Sequence, residues 1–224
     1  MTLGDGRPRP ARLLPDDADG RAAAIDALRA GGLVAMPTDT VYGVGVALSA
    51  EQGLERLFAA KDRPLDRAIV LLVADADQAA SVGVLSPAAR ALAARFWPGG
   101  LTLVLSQVAG AGLPAELTAG LATIGVRVPD HESARALARA LGPLPVTSAN
   151  LSGRPAARDA AEVKAQLGDR IDLILDGGPS RGGVPSTVVD CSEDPARILR
   201  SGAIDAAAIA AVLGQAGPAH ESPE

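Results

Sequence analysis

Short runs of consecutive aliphatic and β-branched residues alternate along this chain with Ala-rich stretches whose apolar positions recur at helical spacing. The first kind predicts buried strands and the second amphipathic helices, and their alternation predicts an α/β domain rather than a bundle or a sandwich. Ile25 and Leu28 share a helix face that Gly31 and Gly32 terminate, and Leu33 to Met36 reads as a buried strand ending at Pro37. Ser49, with Gln52 three residues on, has the form of a capping box for a helix that buries Leu54, Leu57 and Phe58 and delivers Lys61 at its end. Ser86 and Pro87 open another helix, with Leu92 and Phe96 inward. Further strands are predicted at Ile69 to Val73, Leu101 to Leu105, Ile124 to Val128, Val146 to Thr147, Ile171 to Leu175, Thr187 to Asp190 and Arg197 to Leu199. Helices are predicted around Ser133 to Leu141, Asp159 to Leu167 and Asp205 to Leu213. Pro, Gly and charge leave residues 1–15 and 214–224 little to bury, so both read as loosely ordered tails around one domain over 16–213.

Composition narrows the function classes. With 224 residues and 48% hydrophobic content the chain can bury a substantial core. Aromatics reach only 2%, too few for a surface that stacks bases, and a formal net charge of -5 opposes the counterion-release affinity of a phosphate-backbone binder. The single cysteine, Cys191, cannot form an internal disulfide, and His131 and His220 lack metal-ligand spacing. With no leader-like apolar region and no bilayer-length apolar run, a soluble cytoplasmic protein is expected, without a membrane partner.

Polar residues collect where strands end: Pro37 to Gly43, Lys61 to Pro64, Arg127, Thr147 to Asn150, Ser186 with Thr187, and Arg200. Ligands of open α/β sheets gather at such ends. Two readings of Lys61 and Arg63 stay open: a solvated helix cap, or a pair of cations within one turn that clamps a triphosphate. The run Thr147-Ser148-Ala149-Asn150 reads as a turn or as part of a site, and Gly177 to Gly183 as a flexible loop or a lid over phosphates. Neither a Walker loop nor a dinucleotide fingerprint is present, since Gly43-Val44-Gly45 runs on into Val46, Ala47 and Leu48. Ser148 lacks the G-x-S-x-G elbow of a hydrolase nucleophile.

Taken in order, several blocks resemble the YrdC/TsaC family of threonylcarbamoyl-AMP synthases from about Arg21 to Asp205. They are Gly32 to Gly43, Lys61-Asp62-Arg63-Pro64, Phe96 to Thr102, Val126 to His131, Ser148 to Gly153, Ser186 to Asp190 and Ile198 to Ile204. The resemblance implies a twisted mixed sheet flanked by helices, with a large concave cleft holding ATP beside L-threonine. It further implies a synthase that joins threonine, bicarbonate or CO2, and ATP into threonylcarbamoyl-AMP and pyrophosphate for N6-threonylcarbamoyladenosine in tRNA. Transfer to tRNA would fall to partner proteins. Carried over residue by residue, Lys61, Arg63, Ser148 and Asn150 would form the catalytic group. Those four with Thr123, Ala156 and Arg200 would contact ATP, and Thr38, Arg127, Thr147 and Ser186 would border threonine. Mg2+ would ride on ATP rather than on protein side chains.

Two departures accompany the resemblance. Ala68, Ile69 and Leu72 stand where many longer relatives have a Pro-Leu pair and a histidine, which places this chain with the short members. Ala156 replaces a common Ser, leaving only its backbone for ATP. The alternatives are a carbamoyl-adenylate-forming domain of a carbamoyltransferase and a non-catalytic RNA-binding module.

Overall fold

A computed structural model describes residues 10–215 of the chain. In chain order the elements are β1 (Arg12–Pro15), α1 (Ala18–Arg29), β2 (Val34–Met36), β3 (Gly43–Gly45), α2 (Gly53–Ala60), β4 (Val70–Leu72), α3 (Ala76–Ala80), α4 (Pro87–Phe96) and β5 (Leu101–Ser106). There follow α5 (Ala115–Thr118), β6 (Thr123–Arg127), α6 (Glu132–Leu141), β7 (Leu144–Ser148), α7 (Ala160–Leu167), β8 (Leu173–Asp176), β9 (Thr187–Asp190), β10 (Arg197–Arg200) and α8 (Ala206–Gln215). All ten strands join one mixed sheet in the order β1-β8-β2-β3-β7-β4-β6-β5-β9-β10, which is the twisted α/β sheet expected from the sequence. Among the described residues no helix is long and apolar enough to cross a membrane.

Because side chains alternate across a strand, the sheet separates two cores. On one face Ala35, Val44, Leu71, Leu103, Val126 and Ile174 pack with Leu57, Leu92, Val163 and Ile209 from helices. On the other, Val34, Met36, Leu72, Leu144, Leu173 and Leu175 pack with Ala24 and Leu28 of α1 and Ala134 and Leu137 of α6. Helices α1 and α6 lie mainly over β2, β4, β7 and β8. Beyond them, the same sheet face carries Thr102, Gly125 and Arg127 at its alternate positions and is left for a cavity.

Several local signals behave as their chemistry requires. Ser86 caps α4 by accepting from the Ala89 amide, with Pro87 in the first turn, and Asp159 caps α7 through the Glu162 amide. The capping box at Ser49 does not form. Turns closed by Ala50 N–H to Ala47 O and Gly53 N–H to Ala50 O occupy that stretch, and Gln52 becomes the cap in a left-handed conformation (φ 53°) without a side-chain bond.

The tail boundaries also shift. Residues 12–15, expected within a loose N-terminal tail, form β1 parallel to β8. Leu14 packs on the second core, and Asp16 ties the strand end down through Arg21 (2.7 Å) and Ser133. At the other end α8 continues through Gln215, past the expected break at Gly214. The remainder of both tail expectations, 1–9 and 216–224, lies outside the described residues.

Candidate active site

The uncovered sheet face forms the floor of a cavity of about 240 Å³. Arg127 ends β6 beneath it, Thr102 comes from β5, and Thr147 and Ser148 end β7, while the 38–43 loop, Arg63, Ser186 and Arg200 make the walls. Strand β3 is built for this approach. A Cβ on Gly43 would sit 2.6 Å from Val146 Cγ1, and one on Gly45 2.6 Å from Pro145 O, so only glycine lets β7 pair so closely here.

Arg127 is 6% exposed, and each of its three nitrogens donates one hydrogen bond within the protein. Its Nε donates to Gly99 O (2.9 Å), Nη1 to Thr40 Oγ1 (2.7 Å) and Nη2 to Asp39 Oδ1 (2.6 Å). Burial lowers its pKa, with the Asp39 carboxylate opposing, yet a guanidinium stays charged throughout the physiological range. Since Arg127 can only donate, Thr40 accepts from it and turns its own proton toward Thr38 Oγ1, 3.1 Å away. Thr38 in turn donates to Val41 O (2.6 Å) and accepts the Thr40 amide (3.2 Å). Thr38 therefore lines the cavity with its hydrogen-bonding capacity filled, and the free acceptor capacity belongs to Thr40.

On the facing wall Arg200 donates from Nε (3.2 Å) and Nη2 (2.8 Å) to Ser186 O and from Nη2 to Ser186 Oγ (3.1 Å). Ser186 Oγ also lies 2.8 Å from Thr102 Oγ1. Arginine, serine and threonine are thus chained from β10 to β5.

Lys61 and Arg63 do not act as a pair. Asp62 between them takes a left-handed conformation (φ 51°) and accepts from Arg170 (2.8 Å), so the two cations part company. Lys61 is 2% exposed, and its ammonium donates to the main-chain oxygens of Ser148 and Asn150. The solvated-cap reading is overturned. Burial, with Arg63 adding like-charge repulsion, pushes its pKa down to about 7. Arg63 instead reaches the cavity rim, over the Phe58 ring at 5.9 Å, with Nη2 donating to Ala68 O (2.9 Å).

Asn150 is 7% exposed. Its Nδ2 donates to Leu151 O (2.9 Å) and Arg154 O (2.7 Å), which leaves a buried Oδ1 with no partner among the described residues. Lys61 and Asn150 therefore fix the shape of the 148–154 turn from inside.

Two expected site residues stand apart. Thr123 is at the far end of β6 from Arg127, about 13 Å away along four strand residues, though on the same face. Ala156 lines a separate hollow of about 690 Å³ with Leu151, Arg154, Arg158 and Gly183, which meets the first cavity at Pro185. Asp39, Thr40 and Tyr42 fell within the polar Pro37 to Gly43 run without being assigned individual roles, and Thr102 was missed as a site residue. A hydroxyl at Thr102 within the otherwise apolar alternation of Leu101, Leu103 and Leu105 was the available signal.

A family model for Sua5, YciO and YrdC proteins, described as "Telomere recombination", matches residues 26–202. The chain belongs to the Sua5/YciO/YrdC family. A Bacillus subtilis relative named threonylcarbamoyl-AMP synthase is 42% identical over 196 residues, covering 87% of this chain. An Idiomarina loihiensis protein of the same name is 38% identical over 179 residues, covering 77% of this chain and 94% of the relative. The solved structure of Sua5 from P. abyssi complexed with L-threonine shares 37% identity and superposes with a TM-score of 0.85 over 92% of this chain. The chain spans 56% of the length of the B. subtilis relative and 61% of the P. abyssi structure.

Proposed function

We propose that the chain is a threonylcarbamoyl-AMP synthase, in which the cavity over β5 and β6 takes L-threonine and the adjoining hollow takes ATP. The observation carrying this is Arg127: three of its five N–H groups are held by the protein, leaving one on each terminal nitrogen for a carboxylate. A volume of about 240 Å³ suits a small amino acid, being under the roughly 300–1,000 Å³ of sites for larger ligands. The larger hollow suits a nucleotide.

In this reading the threonine amine attacks the carbon of CO2 or bicarbonate to form a carbamate, with loss of a proton or of water. A carbamate oxygen then attacks the α-phosphorus of ATP, and the bond to pyrophosphate breaks. The protein's share is alignment and charge: Arg127 orients the amino acid, while Arg63 and Arg200 offset charge building on the phosphates. Thr147, Ser148 and Ser186 add wall contacts. Lys61 and Asn150 act by holding the Ser148 to Arg154 turn, and Thr123 and Ala156 serve the nucleotide end. Among the described residues no group of three or more His, Cys, Asp or Glu gathers to hold a metal. Asp39, the carboxylate against Arg127, already accepts from Arg127 and from the Asp130 amide (3.0 Å). The residues thus do not fit a dedicated metal cage, and Mg2+ would travel on the triphosphate. The product would pass to transfer proteins that modify tRNA in the cytoplasm.

Purified protein given ATP, bicarbonate and threonine should release pyrophosphate only when all three are present. Release that ignores threonine, or that needs carbamoyl phosphate instead, refutes this reading.

A further inference from the structure

Asp39 ties Arg127, on the cavity floor, to two neighbouring loops. Its Oδ1 accepts from Arg127 Nη2 (2.6 Å) and from the Asp130 amide (3.0 Å), and its main-chain oxygen accepts from Gly182 (3.0 Å) in the glycine-rich loop. The carboxylate is 13% exposed and lies against a guanidinium that is 7% exposed. A buried guanidinium without a partner carries a large desolvation cost, so its direction follows the carboxylate that compensates it. The other two anchors of Arg127, Gly99 O and Thr40 Oγ1, are neutral.

We infer that Asp39 is the positioning residue for amino-acid recognition, turning the Arg127 guanidinium so that its two remaining N–H groups face the substrate carboxylate. This rests on the function proposed above. Asp39 touches Arg127 through one oxygen only; Oδ2 accepts no hydrogen bond among the described residues. An amide at this position therefore keeps the acceptor and meets no donor at its nitrogen. The Gly182 contact runs through the main chain, so side-chain replacement leaves that tie available and removes only the contacts to Arg127 and the Asp130 amide.

The test measures threonine KM and ATP KM by pyrophosphate release for the wild type, Asp39→Ala and Asp39→Asn. Asp39→Ala should raise threonine KM about tenfold to a hundredfold, the scale of one lost charge-assisted hydrogen bond, with ATP KM within about threefold. Asp39→Asn, which keeps the acceptor oxygen but not the charge, should recover part of that loss. Should Asp39→Ala not fold, Asp39→Glu replaces it: it keeps the charge, moves the oxygen by one methylene and should likewise raise threonine KM alone. Equal rises in both KM values, an unchanged threonine KM, or no recovery in Asp39→Asn overturns the positioning role while leaving the proposed activity standing. A wild-type protein with no threonine dependence overturns both.

Discussion

Replacing Lys61 with Met removes the amine while keeping most of the stem, and its effect on stability should depend on pH. In the folded protein burial holds this amine at a pKa of about 7, against an ordinary 10.5. Between those values the unfolded chain binds a proton that the folded chain does not, so the Lys61 contribution to stability rises with pH across that window. Below pH 7 both states are protonated and the penalty is complete; above pH 10.5 it is gone. At about 1.4 kcal/mol per pH unit, the gap between wild type and Lys61→Met should move by up to about 4 kcal/mol from pH 7 to pH 10 in favour of the wild type. That is a ceiling, because the Ser148 and Asn150 oxygens favour the charged amine. For a chain of this size each kcal/mol is worth about 2–4 °C in Tm, so the relative melting temperatures should shift on the order of 10 °C. Urea unfolding of both proteins at the two pH values gives the difference directly, and other titrating groups cancel in it. A gap that stays constant from pH 7 to pH 10 would refute a dry, proton-shedding Lys61.

Two further substitutions probe the frame around the cavity. Tyr42 donates to Gly178 O (2.8 Å) and accepts from the Gly177 amide (3.1 Å), so Tyr42→Phe should cost about 1–3 kcal/mol and speed amide exchange at Gly177; unchanged exchange there would show that the hydroxyl does not hold the loop. Gly45→Ala puts a Cβ 2.6 Å from Pro145 O and 2.7 Å from Val146 Cγ2, so it should destabilise by about 1–3 kcal/mol in a urea titration. Wild-type stability in that variant would mean β3 and β7 can separate at little cost.

Elements with strong periodicity were legible from the sequence because burial and pattern agree in them. Leu101 to Leu105 and Thr187 to Asp190 are strands as expected, and Ser86 caps its helix through the expected hydroxyl. Strand β1 escaped because an edge strand of four residues with exposed Arg12, Leu13 and Pro15 carries almost no burial pattern. Strand β3 escaped because two of its three residues are glycines, chosen for closeness rather than strand propensity. At the site, Arg127, Ser186, Arg200, Thr147 and Ser148 meet at one cavity as the sequence blocks implied. The separate fates of Lys61 and Arg63 were not legible, since they depend on one left-handed residue, Asp62. Nor was Asp39, whose partner lies 88 positions further along the chain.

The cavity floor is made of paired strands, whereas its rim is made of loops tied by a few single hydrogen bonds. A strand cannot be repositioned without breaking its ladder on both sides, so the platform is stiff and tolerates little revision. Changing which small molecule is accepted, by natural drift or by engineering, would thus be achieved through the 38–43 and 177–186 segments, with the ladder left as an invariant foundation.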